Sequence, residues 1–484
     1  MTDSKVYIAL DHLSIYELNS FKKFLESPYF NSNEILVSLY ELYEPLLKEK
    51  IKEDLDKETI WAALYPKEEY NDTRYRKVHS ELLKLFETFV AQKEYDTNKS
   101  LRANLTLQAV RKRKIEKLYK SVTSSTDRTI NQNYNRSTEY LYSKYYNEKE
   151  KLELYSESEL LRKRSKSIEN DVNITEIVKY LDQFYLSEKL KYYVKLLGWK
   201  KMISLKQELE NIEEMHGMIV SPQNENIPPI MIYNTITKTQ IDQDNVDNYF
   251  QLKRLVDEYI DNFPDDEIRN IYDALLSFCV RRVNKGDLAF QEETLNVYKE
   301  ALRKETIFQD GNITQVTFNN IVFFALRTGA YDWAEEFIEN YNGRLKDEDR
   351  PSSVAFSKAR VMFYREEFGK AIELLQQVEM NSVVYTLSSK TILLLSYYEL
   401  DEFDALDSFV NSFRVYINRE KGISSRKKGH YKNLLKYTKR LLNLRSNDKK
   451  GLIALKDELA ETSGVASKPW LLQKVEDKIS GNYR

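Results

Sequence analysis

The chain has 484 residues, 42% hydrophobic and 31% charged, with 74 Lys and Arg against 76 Asp and Glu for a net charge of −2. That length suggests about three domains with room for substantial cores, and the balanced charge excludes a global field that drives the chain onto DNA or an acidic membrane. Only 12 Gly and 9 Pro, against averages of roughly 7% and 5%, exclude collagen-like, linker-rich and most turn-dense β architectures and leave an all-α fold.

Residues 1–95 read as an N-terminal helical module. Leu18, Phe21, Phe24 and Leu25 mark one apolar helix face that Ser27-Pro28 closes, because proline cannot continue the ladder. Asn31 or Asn33 caps a second helix carrying Ile35, Leu36, Leu39, Leu42, Tyr43 and Leu46. A third helix is expected from Lys57 to Leu64, and a fourth from Asp72 to Ala91 with Val78, Leu82, Leu83, Leu85, Phe86 and Phe89 on its apolar side. Residues 96–170 read as a long helical connector, with a basic run at 111–114 and an apolar stripe of Leu101, Leu105, Leu107, Ile115 and Leu118. From 171 to 417 dense apolar patterns recur in helical pairs. Residues 418–484 read as basic C-terminal capping helices, the last around Trp470 to Ile479.

The start, MTDSKVYIALDHLSIYELNSF, lacks the basic, apolar and small-residue regions of a secretory signal. The best apolar run, Ile321 to Leu326, is six residues, against the roughly 18 needed to span a bilayer. Cys279 is the one cysteine and sits in an apolar run, which reads as a small buried hydrophobe in a reducing compartment. A cytoplasmic location without membrane insertion is the expectation.

The repeat signal lies between 315 and 415. Tyr331, Phe368 and Phe403 follow short polar turns at spacings of 37 and 35. Three residues after each come Ala334, Ala371 and Leu406, and four further on Ile338, Leu375 and Val410. Such a period marks a helix pair, with a small residue where two helices approach and large ones filling the groove behind. These residues resemble the tetratricopeptide repeat (TPR). Ala359, Phe368, Ala371, Leu375 and Val378 follow its pattern, as do Gly329, Tyr331, Ala334 and Ile338, whereas Val322, Leu394 and Leu406 stand where the family prefers smaller residues. The resemblance implies an α-α superhelix, a TPR-like solenoid, with a concave surface lined by first helices. In that register Phe323, Arg327, Phe356, Arg360, Phe363, Leu395 and Tyr398 either pack between helices or form an exposed groove for a protein or peptide partner.

Chemical constellations are missing from the sequence. The four histidines, His12, His79, His216 and His430, show no metal-binding spacing, and neither GxGxxG, a P-loop nor a GxSxG elbow is present. No enzyme activity and no cofactor are expected. Two basic features keep nucleic acid open as an alternative. One is Arg426, Lys427 and Lys428 in the stretch 419–445, which could neutralise phosphates or form the solvated face of a capping helix. The other is Lys57 to Pro66 followed by a helix with Arg74, Arg76 and Lys77, which resembles the helix-turn-helix half of some bacterial regulators and implies a major-groove reader. The leading expectation is a non-catalytic interaction scaffold or adaptor; the alternative is a DNA-binding transcriptional regulator with a helical-repeat sensor.

Overall fold

The computed structural model describes residues 4–50, 56–132, 136–157, 174–203, 206–208, 212–376 and 382–481. It is all-α. Among the described residues there is no strand, only an isolated bridge between Gln309 and Asn312, and no helix there is long and apolar enough to cross a membrane. The chain divides into two compact units, Met1–Tyr233 and Asn234–Arg484, a boundary that falls inside the 171–417 stretch.

The first unit opens with α1 (Lys5–Asp11), α2 (Ile15–Leu25), α3 (Glu34–Glu49), α4 (Lys57–Leu64) and α5 (Asp72–Thr97). Side-chain caps set most of their starts. Ser14 and Glu17 form a capping box on α2, while Asn33, Asp56 and Asn71 each accept a backbone N–H of the helix that follows. Asn33 is the α3 cap; Asn31 instead bridges Leu25 and Asn33. Helix α5 runs six residues past Ala91 to the cap at Asn98. One core unites these helices around Phe21, Leu39, Tyr40, Tyr43 and Leu82.

Buried polar groups in this core are partnered, as the cost of desolvating them requires. The Tyr40 hydroxyl donates to the Leu18 carbonyl at 2.8 Å. His79 Nδ1 faces the Tyr75 carbonyl at 2.9 Å and Nε2 lies 2.6 Å from the Tyr43 hydroxyl. The carbonyl can only accept, so Nδ1 carries the proton and Nε2 accepts from Tyr43. Burial lowers the His79 pKa from its ordinary 6.5.

The unit continues through α6 (Lys99–Lys112), α7 (Glu116–Gln132), α8 (Thr138–Glu157), α9 (Ile174–Ile203) and α10 (Ile212–Ile219). Helix α8 packs along α9, and α6 against α7 and α8. The expected stripe does not make this seam. Leu107 is buried, but Leu101, Leu105, Ile115 and Leu118 remain 37–42% exposed. Helical pitch is the reason: Asn104, Leu107 and Arg111 share the inward face, which leaves Leu101 and Leu105 on the flank. The interior is polar, with Asn104, Thr126, Asn147, Gln183 and Ser187 buried and a nearly enclosed Arg111–Glu150 ion pair at 2.8 Å.

The unit boundary lies within α11 (Pro228–Ile241). The second unit then runs α12 (Val246–Tyr259), α13 (Asp265–Asn284), α14 (Ala289–Arg303), α15 (Gln315–Arg327), α16 (Tyr331–Tyr341), α17 (Arg350–Tyr364), α18 (Phe368–Gln376), α19 (Val383–Glu399) and α20 (Phe403–Arg419). It closes with α21 (Ser425–Asn443), α22 (Lys449–Glu461) and α23 (Lys468–Ser480). Successive helices pack as pairs, α13 with α14 through α19 with α20; α17 also contacts α15 and α19.

The three pairs of the repeat signal share one register. Val322, Ala359 and Leu394 are each 0% exposed, and so are Ala334, Ala371 and Leu406. Val378 lies outside the described residues. The turns are also the same. Gly329, Glu366 and Asp401 take φ of 76°, 62° and 56°, and the next residue closes a bond back across the helix end. Ala330 donates to Ala325 at 2.8 Å, Glu367 to Met362 at 2.8 Å and Glu402 to Tyr397 at 3.0 Å. This is the six-to-one closure of a left-handed helix C-terminus.

Two outcomes follow. Glu366→Gly removes the Cβ strain of a left-handed residue and raises stability by about 0.5–1 kcal/mol after the unfolded-state entropy of glycine is counted; a urea midpoint that falls would refute the turn geometry. A neutral buried His79 binds its proton less readily folded than unfolded, so its contribution is complete above pH 6.5 and is lost as pH falls through the lower folded value. Thermal melts from pH 7.5 to 5 should therefore show a steeper decline for the native chain than for His79→Gln.

Candidate functional site

A line of polar side chains borders a concave place in the second unit, beside α13. A cavity of about 620 Å³ is walled by one face of α13, the end of α14, the loop at 306–309 and the start of α15. Helical geometry makes that face. Arg269, Asp273, Ser277 and Arg281 recur every four residues and line the cavity, while Ile268, Ile271, Leu275, Phe278 and Cys279 point the other way into the core.

Each charged group is held differently. Arg269 is a clamp: its guanidinium donates to the Thr306 and Phe308 carbonyls at 3.3 and 2.9 Å and so shapes the loop that forms the far wall. Asp273 accepts no hydrogen bond among the described residues. It meets solvent at the cavity mouth, yet the walls displace enough water to push its pKa up, with Arg269 pulling in the opposite direction. Arg281 reaches the Thr239 carbonyl at 3.4 Å, its buried Nε has no partner, and burial lowers its pKa. Tyr298 closes the floor, its phenol pushed up to about 12 by burial. The arrangement offers an open carboxylate and an incompletely satisfied guanidinium two helical turns apart, roughly 12 Å along the axis.

Cys279 is on the opposite face of α13, fully buried, with its thiol pushed up to about 12 by desolvation. A protonated thiol there is a poor nucleophile. Among the described residues no group of three or more His, Cys, Asp or Glu is placed to hold a metal ion.

The residues expected to line a groove are elsewhere, and most face inward. Phe356, Leu395 and Tyr398 are 3–6% exposed, and Arg360 is 9% exposed. Arg360 lies over the Phe323 and Phe356 rings at 4.9 and 5.4 Å and donates to the Asn319 carbonyl at 3.2 Å; burial pulls its pKa down to about 10. Of the two readings of these positions, packing between helices is therefore the one that applies to these four. Phe323 and Phe363 are half-buried, and Arg327 is exposed. Phe363 and Tyr398 border a second cavity, of about 630 Å³, against α23. There Glu399 accepts from Trp470 Nε1 and Lys474 Nζ, both at 2.6 Å, and Trp470 meets Tyr398 edge-on at 5.1 Å.

The basic candidates separate into paired and open groups. Arg74 lies over Tyr65 at 4.1 Å and pairs with Glu68 at 2.5 Å; Arg76 pairs with Asp72 at 2.8 Å, and Lys77 is 3.9 Å from Glu81. Local carboxylates thus offset all three charges. Arg426 and Lys427 are exposed in the first turn of α21, and Lys428 donates to the Asn418 carbonyl at 3.3 Å. Further along that helix Lys436 pairs with Glu458 and Lys439 with Asp407, each at 3.0 Å.

Arg269, Asp273, Arg281 and Tyr298 belong to no motif or repeat position. On α13 the signal of Arg269, Asp273 and Arg281 is a polar line at four-residue spacing, which marks a face but not what stands opposite, and Tyr298 comes from the next helix. Comparisons of the chain with protein-family models, with curated proteins and with solved structures found no match.

Burial of the inward-facing set predicts a stability phenotype. Phe356→Ala and Tyr398→Ala should each cost about 3–5 kcal/mol, measured by urea unfolding monitored by circular dichroism; a loss under about 1 kcal/mol would return these side chains to the surface.

Proposed function

We propose that the protein is a non-catalytic interaction scaffold whose second unit is a divergent TPR-like solenoid that holds a peptide segment of a protein partner beside α13. The observation that carries this reading is the polar ridge Arg269, Asp273, Ser277 and Arg281 along one wall of the 620 Å³ cavity. Asp273 offers a carboxylate without a hydrogen-bond donor among the described residues, and Arg281 offers a buried Nε without an acceptor. A basic peptide group would pair with Asp273 at the cavity mouth and an acidic one with the half-buried Arg281 side chain on the same wall, and charge-assisted hydrogen bonds are the strong kind. The spacing of roughly 12 Å matches side chains about four residues apart in an extended chain. The partner segment therefore carries a Lys or Arg at one point and an Asp or Glu about four residues away. The shared register of Val322, Ala359 and Leu394 and of the three left-handed turns supports the repeat half of the proposal.

Photo-crosslinking tests it directly. A photoreactive phenylalanine placed at Ser277, in the full chain expressed in its own cells, should give discrete protein adducts. Asp273→Arg and Arg281→Glu should each reduce those adducts at least tenfold without changing the far-ultraviolet spectrum. An adduct pattern indifferent to both charge reversals would overturn the assignment of this cavity.

A further inference from the structure

The longest described helix, α9, has two apolar faces, and its fold uses only one. Leu186 and Leu190, with Gln183 and Ser187, are buried on the side that packs along α8. On the opposite side Ile174, Val178, Leu181, Tyr185, Tyr192, Trp199 and Ile203 are 41–67% exposed. Their intervals are 4, 3, 4, 7, 7 and 4 residues. From Ile174 to Trp199 this is the heptad spacing of a coiled-coil seam, with Glu188 and Lys195 at the two skipped places and Ile203 one residue past the next seam position. A helix of this length presents the seam over about 45 Å.

We infer that this seam pairs with the same seam of a second copy, antiparallel, to make a homodimer. Charge order along the helix selects that occupant. The first half carries Glu176, Asp182 and Glu188 against Lys179 alone, and the second half carries Lys189, Lys191, Lys195, Lys200 and Lys201 with no acid. A parallel copy sets Glu188 beside Glu188 and Lys195 beside Lys195, which is unfavourable. An antiparallel copy centred at residue 191 brings Asp182 level with the second copy's Lys200, Glu188 within one residue of its Lys195, and Leu181 within about 3 Å along the axis of its Trp199. Each contact occurs twice about the two-fold axis, as a self-complementary patch demands. Glu188 is loosely paired with Lys191 at 3.7 Å on its own helix, and its side chain is 29% exposed. Seven half-exposed large side chains bury on the order of 600 Å² per copy, about 1,200 Å² in all, the lower limit for a specific stable interface.

Sedimentation velocity of the full chain between ~1 and ~100 μM tests this. The expected result is a concentration-dependent shift from the 57.4 kDa monomer to a species of twice that mass. Glu188→Lys should weaken the dimer at least tenfold by setting a second ammonium against Lys195, and adding Lys195→Glu should restore it, a rescue that a misfolded variant cannot give. Tyr192→Glu should abolish association with unchanged helicity. A monomer at every concentration would overturn the inference. So would a dimer indifferent to Glu188→Lys and to Tyr192→Glu, or a monomer whose α9 face instead takes the protein onto anionic phospholipid vesicles.

Discussion

The left-handed turn that ends the first helix of each pair is the constraint on which the regular part of the molecule depends. A helix leaves four carbonyls without intrahelical donors, and at residues 325, 362 and 397 the chain satisfies one of them by folding back after a single residue of positive φ. That closure sets where the second helix begins and hence which side chain meets the neighbouring helix. Ala334, Ala371 and Leu406 then fall at the buried contact without a separate cause. Glycine stands at only one of the three turns. Glu366 and Asp401 adopt the same conformation because the surrounding helix pair requires it.

Much of this was legible in the chain. The three aromatics Tyr331, Phe368 and Phe403 report the period because each sits two residues after the left-handed position, so turn geometry and sequence spacing are one fact seen twice. The start of α4 was legible for a similar reason, since caps depend on side chains within three residues, and the cap of α3 was legible as Asn31 or Asn33, of which the structure selects Asn33. What was not legible depends on neighbours distant in the chain. Phe356 and Tyr398 could have faced solvent or core; Tyr385 and Trp470 decide it, lying at 5.5 and 5.1 Å. The ridge of α13 was hidden for the same reason, because a polar line is ordinary surface until the loop at 306–309 rises opposite it.

The two units solve burial differently. In the second, large apolar residues fill the space between pairs, and positions such as Ser357 and Asn319 are joined by a hydrogen bond of 2.9 Å. In the first, the layer from α6 to α9 hides amides, hydroxyls and the Arg111–Glu150 pair. Buried ion pairs contribute little net stability after desolvation, yet removing one partner is costly. Such a seam favours one register over many, since a shifted helix strands a charge. Leu107, Ile130, Leu186 and Leu190 share that interior, while a second set of apolar residues stays outside, on α9 most of all.

The bond from Glu399 to Trp470 spans 71 positions of chain. Ribosomes add roughly 5–20 residues each second, so this carboxylate leaves the exit tunnel on the order of 4–14 s before its indole partner does. Through that interval Tyr398 has no Trp470 edge to cover it, and the last helix pair stands with an aromatic side open to collision. The contact at the end of α19 is therefore completed late in synthesis: whatever covers this side of Tyr398 until then must yield when α23 arrives.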